Sequence, residues 1–534
     1  MVYQLVTPHY LKRAAKLYVD KVGFVGKNKE YTYGELYERM QRLSHAFANL
    51  GIEPGDRVAY LATNTLEMYE GFFGVAQVGA IHVPLNSRLS GENFTFILNH
   101  SGASAIYVDE QFLDVILEIK KDLPQLKTII SNNVPEGVSD VIDYETLLAE
   151  SNPEPYDYSH IKEEDIASLL YTSGTTGDPK GVMLTHRNNY LQAMQAMHHL
   201  DVSDDDVLLH ILPMFHVNGW GSPFYYTANG SKQVWLDKVD AKTIFDKIND
   251  HGVTIMHMAP TVLNMLLEYA SQHDLPKQEQ DVRIIVAGAS PPLAFIRRAE
   301  HELGWTFIQV YGMTETSPLI TTSKIRTTQA DLEEEKVFEI KARTGYDMIG
   351  GEIKVVNDDG EEIAPNGEEI GEIIYRGNNM MKGYWNNPEE TAATIKDGWL
   401  HTGDLAVRYE DESVLIVDRK SDIIISGGEN ISSLEIESTL YEHEGVQEAA
   451  IIAAPHEKWG ETPLAIVVKR EGYDSLTEED IIAFSRSRIA SYKAPTRVSF
   501  TDELPKNANG KILKHELRRE FIENYIKKEE NLYS

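Results

Sequence analysis

A run of glycine and hydroxyl residues in the first third of the chain has the chemistry of a phosphate-binding loop. The residues that precede Lys180 and Gly181 are Thr172, Ser173, Gly174, Thr175, Thr176 and Gly177. Glycine lets backbone N–H groups approach phosphate oxygens, hydroxyl groups add donors, and lysine adds positive charge. The loop is not a Walker A motif, which ends in Gly-Lys-Ser/Thr, because Asp178 and Pro179 separate Gly177 from Lys180. Lys180 therefore suits loop closure better than a grip on phosphate, and a plain Ser/Thr/Gly linker is the alternative interpretation.

More small and polar residues stand where apolar strands are predicted to end. One group follows a strand that starts at Val282, and the other closes the next strand: Gly288, Ala289, Ser290, Gln309, Tyr311 and Gly312. Ligands of open α/β sheets bind at the carboxyl ends of the strands. These residues are therefore predicted to line one crevice with the phosphate loop.

Four charged residues elsewhere have side chains that suit a nucleotide. Glu315, beside Thr314, offers a hard oxygen ligand for Mg²⁺ between phosphates. Asp404 has two acceptor oxygens for a pair of ribose hydroxyls, and Arg419 can pair with a phosphate or the ribose. Lys511 follows Asn-Ala-Asn-Gly, a turn sequence that projects a long cationic side chain. The alternatives are an exposed glutamate, a turn-capping aspartate, a surface ion pair and a solvated lysine.

Strands and helices alternate through most of the chain, which predicts a doubly wound α/β architecture. Apolar residues recur at helical spacing from Glu35 to Leu50. Strands are predicted to begin at Arg57, Ala80, Ala103, Val207, Val253, Val282 and Thr306. We expect a large domain over residues 1–420, whose last part from about 345 is a β-rich subdomain, and a small α+β domain over residues 421–534.

The composition limits the kinds of partner. With 83 acidic and 50 basic side chains in 534 residues, the net charge is -33, which disfavours binding to nucleic acid or to an anionic membrane. The chain has no cysteine, so disulfides, thiolate metal sites and a cysteine nucleophile are excluded. It also lacks a signal-peptide pattern and an apolar run of about 18 residues. A cytoplasmic protein without a transmembrane segment is predicted.

The order of these motifs resembles that of the acyl-adenylate-forming enzymes, which include acyl-CoA synthetases, firefly-type luciferases and the adenylation domains of peptide synthetases. The resemblance runs from Tyr31 to Lys511. One motif alone would be weak, but the ordered set is specific: Thr172–Gly181, Tyr311–Thr316, Gly371–Trp385, Gly398–Asp404, Asp418-Arg419, Ser426–Asn430 and Leu504–Lys511.

The resemblance implies a two-step reaction with ATP and CoA as co-substrates and Mg²⁺ as cofactor. It assigns the nucleotide to the phosphate loop and the crevice residues, and the metal to Glu315 and Thr172. Asp404 and Arg419 are implied to contact the nucleotide as well. Lys511 is implied to stabilise charge at the α-phosphate while acyl-AMP and pyrophosphate form.

In the second step the small domain is implied to rotate, to withdraw the lysine and to open a tunnel for CoA. The tunnel is assigned to one glycine-rich stretch, for which a plain hairpin turn is the alternative: Ser426, Gly427, Gly428 and Glu429. The hinge falls on Ser421, where the family usually carries Asp or Lys. The rotation equilibrium of this chain is therefore expected to differ from the usual one.

The segment Pro213–Gly221 bears on the acid. It resembles medium- and long-chain fatty acyl-CoA synthetases, in which an aromatic residue at Trp220 borders the acyl tunnel. The implied pocket residues are His216, Val217, Gly219, Trp220 and Gly288. His216 either positions the carboxylate or is a hydrogen-bonded structural histidine. No aspartate occurs between Leu212 and Gly221, which disfavours an amino acid, so a medium- or long-chain fatty acid is the predicted substrate.

Other adenylate-forming activities are the alternatives: a ligase for a short, aryl or thioether acid, a luciferase-like oxygenase, and an enzyme that loads a carrier protein. A catalytically silent nucleotide-binding regulator would need a damaged metal or lysine site, whereas Glu315 and Lys511 are both intact. The expected partners are the small-molecule substrates, with a homodimer left open.

Overall fold

Two mixed β-sheets with helices on their faces form the larger part of the molecule. The structure is a computed structural model, and it describes residues 3–172, 179–236, 238–276, 280–288, 291–456, 458–506 and 511–521. The elements before residue 200 are α1 (Pro8–Leu17), β1 (Val22–Val25), β2 (Glu30–Thr32), α2 (Tyr33–Asn49), β3 (Arg57–Leu61), α3 (Leu66–Gln77), β4 (Ile81–Pro84), α4 (Gly91–Ser101), β5 (Ala105–Val108), α5 (Leu113–Ile119), β6 (Thr128–Ser131), β7 (Ile142–Asp143), α6 (Tyr144–Glu150), β8 (Ile166–Thr172), β9 (Lys180–Thr185) and α7 (His186–His199).

The alternation continues to residue 347. The elements there are β10 (Val207–Leu209), α8 (Val217–Trp220), α9 (Ser222–Asn229), β11 (Lys232–Val234), α10 (Ala241–His251), β12 (Ile255–Met258), α11 (Pro260–Gln272), β13 (Arg283–Val286), α12 (Leu293–His301), β14 (Thr306–Gly312), β15 (Leu319–Thr322), α13 (Glu334–Lys341) and β16 (Tyr346–Asp347). Short 3₁₀ turns add Glu110–Phe112, Lys120–Asp122, Thr314–Thr316 and Thr327–Gln329.

The last third of the chain is richer in strands. Its elements are β17 (Gly351–Val356), β18 (Gly371–Gly377), β19 (Gly383–Tyr384), α14 (Pro388–Thr394), β20 (Ile395–Lys396), β21 (Trp399–Arg408), β22 (Val414–Arg419), β23 (Ile424–Ser426), β24 (Glu429–Ile431), α15 (Ser433–Leu440), β25 (Val446–His456), β26 (Gly460–Lys469), α16 (Glu478–Arg488) and β27 (Arg497–Thr501). Residues 514–521 are helical.

The strand order of both large sheets confirms the doubly wound α/β class. Among the described residues, the first sheet runs β16-β15-β14-β13-β12-β10-β11-β1-β2 and is parallel from β14 to β1. The second sheet runs β19-β9-β8-β4-β3-β5-β6-β7 and is parallel from β8 to β7. β15 pairs with β14 in the antiparallel sense, and β9 pairs with β8 in the same way. The chain therefore reverses direction at the carboxyl ends of β14 and β8.

A hydrophobic core between the two sheets holds them together. Leu36 of α2, Phe72 of α3 and Phe224 of α9 pack there with Tyr60 of the second sheet and Ile255 of the first. Burial of one such side chain contributes about 1.5–3 kcal/mol. Because helices and strands share this core, the carboxyl ends of β8 and β14 are fixed relative to each other.

Helix α2 begins earlier than its apolar spacing indicates. It starts at Tyr33 rather than Glu35 because Thr32 caps it. The Thr32 hydroxyl accepts from the Glu35 N–H at 3.2 Å, and the Glu35 carboxylate accepts from the Thr32 N–H at 2.8 Å. This capping box was legible in the sequence as Thr-x-x-Glu.

Two smaller sheets follow in the described part of the chain. The β-rich segment forms a sheet of β17, β18, β21, β20 and β22, as the turn pattern predicted. The second small sheet has the order β24-β23-β26-β25, with β27 beside β26, and α15 and α16 pack near it. The domain boundary near residue 420 stays a prediction. No described helix combines the length and the apolar character needed to cross a bilayer.

Candidate active site

The phosphate loop joins two antiparallel strands of the second sheet. Thr172 ends β8 and pairs with Lys180, the first residue of β9. The predicted loop residues between them, Ser173, Gly174, Thr175, Thr176 and Gly177, lie outside the described residues, as do Ala289 and Ser290 of the predicted crevice. The described ends of the loop thus fix where it leaves and rejoins the sheet.

Lys180 is turned toward helix α14. Its ammonium group forms an ion pair with Glu390 and lies 5.4 Å from the centre of the Tyr384 ring. This ion pair connects the end of the loop to α14. The position of Lys180 therefore favours a role in closing the loop over direct binding of phosphate.

Glu315 connects the two large sheets. It lies in the 3₁₀ turn Thr314–Thr316 that follows β14 of the first sheet, and it is buried. The Tyr384 hydroxyl, on β19 of the second sheet, donates to Glu315 Oε1 at 2.8 Å. Burial raises the pKa of Glu315, and the Tyr384 hydrogen bond and the positive charges of Arg419 and Lys180 oppose that rise. The exposed-glutamate alternative is therefore wrong for Glu315.

This carboxylate fits a magnesium ion. No cluster of three or more His, Cys, Asp or Glu side chains that could hold a metal occurs among the described residues. Mg²⁺ is commonly held by one or two carboxylates, with phosphate oxygens and water completing its shell. A buried carboxylate with one hydroxyl donor, beside the end of a phosphate loop, meets that requirement.

Asp404 is held by two side chains that the sequence also selected. It lies on β21, opposite Arg419 on β22. The Tyr311 hydroxyl donates to Asp404 Oδ2 at 2.6 Å, and Arg419 Nε lies 3.3 Å from Oδ1. Burial raises the pKa of Tyr311, with the Asp404 charge adding to it. The carboxylate is thus oriented from both sides, as a group that must present oxygens to a ribose would be.

Near the ends of β13 and β14 lie a glycine and a buried side-chain oxygen that can accept a hydrogen bond. Gly288 follows β13 with φ +94°, and an added Cβ there would have none of the described residues within 4 Å apart from its chain neighbours. Gln309 of β14 is buried, and its Oε1 has no hydrogen-bond partner among the described residues. Gly312 must stay glycine, since an added Cβ would lie 1.8 Å from the Pro318 carbonyl oxygen. A buried acceptor of this kind is suited to a ligand that brings donors.

Lys511 lies near the same group of residues. Burial lowers the pKa of Lys511 to about 8, with the Arg419 charge lowering it further and Asp404 opposing the shift. Burial also lowers the pKa of His216 to about 4, and the charge of Lys511 contributes. His216 is therefore neutral at pH 7, and Lys511 lies within electrostatic reach of His216, Asp404 and Arg419.

Val217, Gly219 and Trp220 of the predicted acyl pocket lie in the turn α8, His216 directly precedes it, and Gly288 lies after β13. Trp220 is buried and stacks on His257, with 5.9 Å between ring centres. The hydroxyls of Tyr225 and Tyr226 lie 3.4 and 3.0 Å from the two ring nitrogens of His257. Val217 and Gly219 are buried in the same turn. Aromatic side chains therefore fill the space behind Trp220.

The predicted CoA tunnel residues form a hairpin. Ser426 ends β23 and pairs with Glu429 at the start of β24. Gly427 and Gly428 make the turn with φ +61° and +92°. Gly427, Gly428 and Glu429 are exposed, and Gly427 N–H donates to the Trp459 carbonyl at 2.8 Å. A hairpin turn is what the structure shows, and the CoA role stays a prediction.

The predicted hinge residue is exposed. The Ser421 carbonyl oxygen accepts from Arg518 Nη1 at 3.3 Å, and Arg518 Nη2 pairs with Asp422 at 2.8 Å. These contacts fasten the chain just after β22 to residues 514–521.

Contacts between α11, α12 and the small sheet were missed from the sequence. Glu268 on α11 pairs with Arg298 at 2.9 Å and with Arg470, after β26, at 3.3 Å. The rings of Phe295 and Tyr441 meet edge to face at 5.4 Å. No local signal marks these residues. Tyr384 was also unassigned, although it stands within the recognised Gly-Tyr-Trp motif.

Comparison with known proteins identifies the family of this chain. The model for the AMP-binding enzyme family matches residues 11–385, and that for the AMP-binding enzyme C-terminal domain matches residues 435–511. The chain belongs to the family of AMP-binding enzymes.

Relatives and solved structures cover almost the whole chain. A peroxisomal butyrate–CoA ligase of Arabidopsis thaliana is 37% identical over 526 residues, covering 95% of this chain and 92% of that protein. A peroxisomal benzoate–CoA ligase of the same plant is 36% identical over 535 residues, with the same coverage. The crystal structure of an anthranilate CoA ligase in complex with anthranoyl-AMP has a TM-score of 0.87 and 26% identity, covering 97% of this chain and 98% of that one. Since both plant relatives are named peroxisomal, the cytoplasmic location stays a prediction.

Proposed function

We propose that this protein is an AMP-forming acid–CoA ligase for a small uncharged monocarboxylic acid, aliphatic or aryl. The observation that supports the chemistry is that Lys511 lies within electrostatic reach of Asp404, Arg419 and His216. The named activities of the relatives, on butyrate, benzoate and anthranilate, support CoA as the acceptor.

In the first step the acid carboxylate attacks the α-phosphorus of ATP, and the bond to the leaving pyrophosphate breaks. Asp404, oriented by Tyr311 and Arg419, holds the ribose. Lys511 stabilises the negative charge that develops at the α-phosphate. Glu315 and Thr172 would hold Mg²⁺, which supplies positive charge to the pyrophosphate group.

In the second step the small domain rotates about Ser421 and withdraws Lys511. The hairpin at Gly427 and Gly428 then turns toward the crevice and admits CoA. The thiol sulfur attacks the acyl carbonyl carbon, and the bond between that carbon and the AMP oxygen breaks. AMP and the acyl thioester are released.

The size of the acid is the finer question. Trp220 packed on His257, with Tyr225 and Tyr226 behind, supports a short pocket, as do the acids in the relatives' names. The apolar residues Met214 and Phe215 near Trp220 are the observation that favours the medium- or long-chain acid expected from the sequence.

Pyrophosphate release across straight-chain acids from acetate to palmitate, with benzoate included, decides between these sizes. We expect the highest kcat/KM between propionate and hexanoate or with benzoate, because the aromatic wall excludes longer chains. A maximum at dodecanoate or beyond would contradict the small pocket and leave the adenylation chemistry standing.

The rate of adenylate formation is expected to fall as pH rises through about 8. The lowered pKa of Lys511 means that its ammonium form dominates below pH 8 and its neutral form above. Only the charged form stabilises the transition state, and kcat/KM reports the free enzyme. Lys511→Arg stays charged, so it is expected to be slower but to lack this alkaline decline. The same decline in the arginine variant would rule out Lys511 as its source.

Arg470→Ala is expected to slow adenylation by about two- to fivefold, which corresponds to the free energy that a partly exposed ion pair contributes. Arg470 joins the small sheet to Glu268 in the arrangement that places Lys511 within electrostatic reach of Asp404 and Arg419. Glu268 keeps its pairing with Arg298, so the variant leaves no orphan charge. Thioester formation from supplied acyl-AMP is expected to stay unchanged or to rise.

The matched control is Arg488→Ala, whose partner Glu442 lies in the same small domain at 3.0 Å. It is expected to leave both half-reactions unchanged. If Arg470→Ala slowed thioester formation as much as adenylation, the ion pair would have no preference for one domain arrangement.

A further inference from the structure

The turn α8 is wound in the left-handed sense. Successive φ angles from Val217 to Gly221 are +46°, +53°, +61°, +58° and +74°. For Asn218 and Gly219 the ψ angles are 38° and 36°, which completes a left-handed helical conformation. Valine and tryptophan are bulky residues that rarely adopt positive φ, so surrounding contacts must hold them there.

Buried side-chain amides provide those contacts. Asn218 is 1% exposed, and its Nδ2 donates to Ser168 Oγ on β8 at 3.1 Å and toward Asn189 Oδ1 on α7 at 3.4 Å. Gln192, one turn further along α7, donates from Nε2 to the Trp220 carbonyl at 3.3 Å. The turn is therefore fastened at its second and fourth residues to the same helix.

The segment just before the turn is fastened in the same way. Asn64 Nδ2 donates to the carbonyl oxygens of His210 and Leu212, and its Oδ1 accepts from the Met214 N–H at 2.7 Å. His216, which follows, immediately precedes the left-handed residues. Backbone strain that is held by side-chain hydrogen bonds in this way commonly marks a functional site.

The left-handed turn determines the direction in which the Trp220 side chain points. A right-handed turn of the same residues would point this side chain elsewhere, because side-chain direction follows φ and ψ. The Asn218 amide also reaches Ser168, which lies four residues before Thr172 on the strand that leads into the phosphate loop. The wall of the acyl pocket is thus anchored to the strand that carries the nucleotide site.

We propose that Asn218 is a positioning residue for acid selectivity, which holds the left-handed turn so that Trp220 closes the acyl pocket. This inference rests on the proposed function. Asn218 need not touch the acid or the nucleotide to act. Its effect is on the binding and selection of the acid, while the nucleotide site keeps its geometry.

The test compares Asn218→Gly with Asn218→Ala. Glycine adopts positive φ without cost but lacks the amide, whereas alanine lacks the amide and also disfavours the left-handed conformation. We expect Asn218→Gly to raise the KM for the preferred acid about tenfold, the effect of losing the buried hydrogen bond to Ser168 together with the longer one to Asn189. The KM for ATP is expected to stay near the wild-type value. The ratio of kcat/KM for short acids to that for longer acids is expected to move closer to one. Asn218→Ala is expected to have a larger effect in the same direction.

Two further variants make the test decisive. Asn133→Gly is the matched control, because Asn133 also has a positive φ, of +51°, but follows β6, where its Nδ2 donates to the Glu110 carboxylate. It is expected to leave both KM values unchanged. Ser168→Ala removes the acceptor without altering the turn's own residues, and is expected to raise the acid KM in the same direction. Its effect should be non-additive with that of Asn218→Gly, since both variants remove the hydrogen bond between Asn218 and Ser168.

An unchanged acid KM and chain-length profile in soluble Asn218→Gly would overturn the proposal. Equal increases of the acid and ATP KM values would assign Asn218 a structural role only, and would overturn it too. If Asn218→Gly did not fold, wild-type acid selectivity in Ser168→Ala would have the same meaning. Failure of the proposed function is distinguishable, because wild-type protein would then form no acyl-AMP from any acid in the series.

Discussion

Replacing Lys511 with alanine is expected to slow acyl-adenylate formation by about 100- to 1000-fold, the range found when one pre-positioned charge-stabilising donor is lost. Lys511 lies within electrostatic reach of Asp404, Arg419 and His216, although its pKa is lowered there. We propose that the charge of Lys511 acts on the α-phosphate, where negative charge develops during adenylate formation. Its contribution is therefore made mostly in the transition state.

The two half-reactions separate this role from a general structural one. Pyrophosphate release without CoA measures the first step, and thioester formation from synthetic acyl-AMP measures the second. Only the first is expected to fall in Lys511→Ala. Lys506→Ala removes another lysine of the same segment, one paired with Glu448 on β25, and is expected to leave both steps intact. Equal loss of both steps in Lys511→Ala would contradict the assignment.

Glu315→Gln is expected to have the second-largest effect, a loss of about 100-fold in kcat/KM for MgATP. The substitution keeps the shape of the side chain and lets it still accept from Tyr384, but it removes the charge that would hold Mg²⁺. A titration of Mg²⁺ at fixed ATP is expected to show a raised metal requirement. Tyr384→Phe keeps the carboxylate and removes only the 2.8 Å hydrogen bond, so a smaller loss, of about tenfold, is expected.

Stability provides the control for Glu315→Gln. Burial raises the pKa of Glu315 in the folded state, so its ionised form costs folding free energy at neutral pH, a cost that is absent only below its unfolded pKa. Glutamine removes that cost. The thermal unfolding midpoint of ligand-free Glu315→Gln is therefore expected to be no lower than that of the wild type. A joint loss of activity and stability would indicate a structural carboxylate.

The elements that were predictable carry local signals. The seven strands predicted before residue 345 correspond to β3, β4, β5, β10, β12, β13 and β14, and apolar runs followed by turn residues mark them. Short strands such as β1, β2, β7 and β11 were not predicted. The start of α2 was predicted two residues late because the Thr32–Glu35 capping box was not used. The charged residues of the crevice were found because ordered motifs identify them. That these residues lie close together could be seen only in the folded structure.

The features that were not predictable depend on distant residues. Tyr384 reaches Glu315 across 69 positions, and Glu268 meets Arg470 only when the small sheet docks on α11. The left-handed turn has glycine at two positions only, Gly219 and Gly221, while Val217, Asn218 and Trp220 give little sign of positive φ. We propose that acid selectivity depends on that turn, and the size of the acid stays a prediction. The homodimer stays a prediction.

The most direct test of the central claim is a two-stage incubation of the purified protein. ATP, Mg²⁺ and butyrate or benzoate are added first without CoA, CoA follows, and the nucleotide and acyl products are separated by chromatography and mass spectrometry. We expect acyl-AMP and pyrophosphate to form in equal amounts before CoA is added, and acyl-CoA and AMP to replace the acyl-AMP afterwards. ADP and phosphate as the nucleotide products, or acyl-AMP that persists when CoA is present, would contradict an AMP-forming acid–CoA ligase.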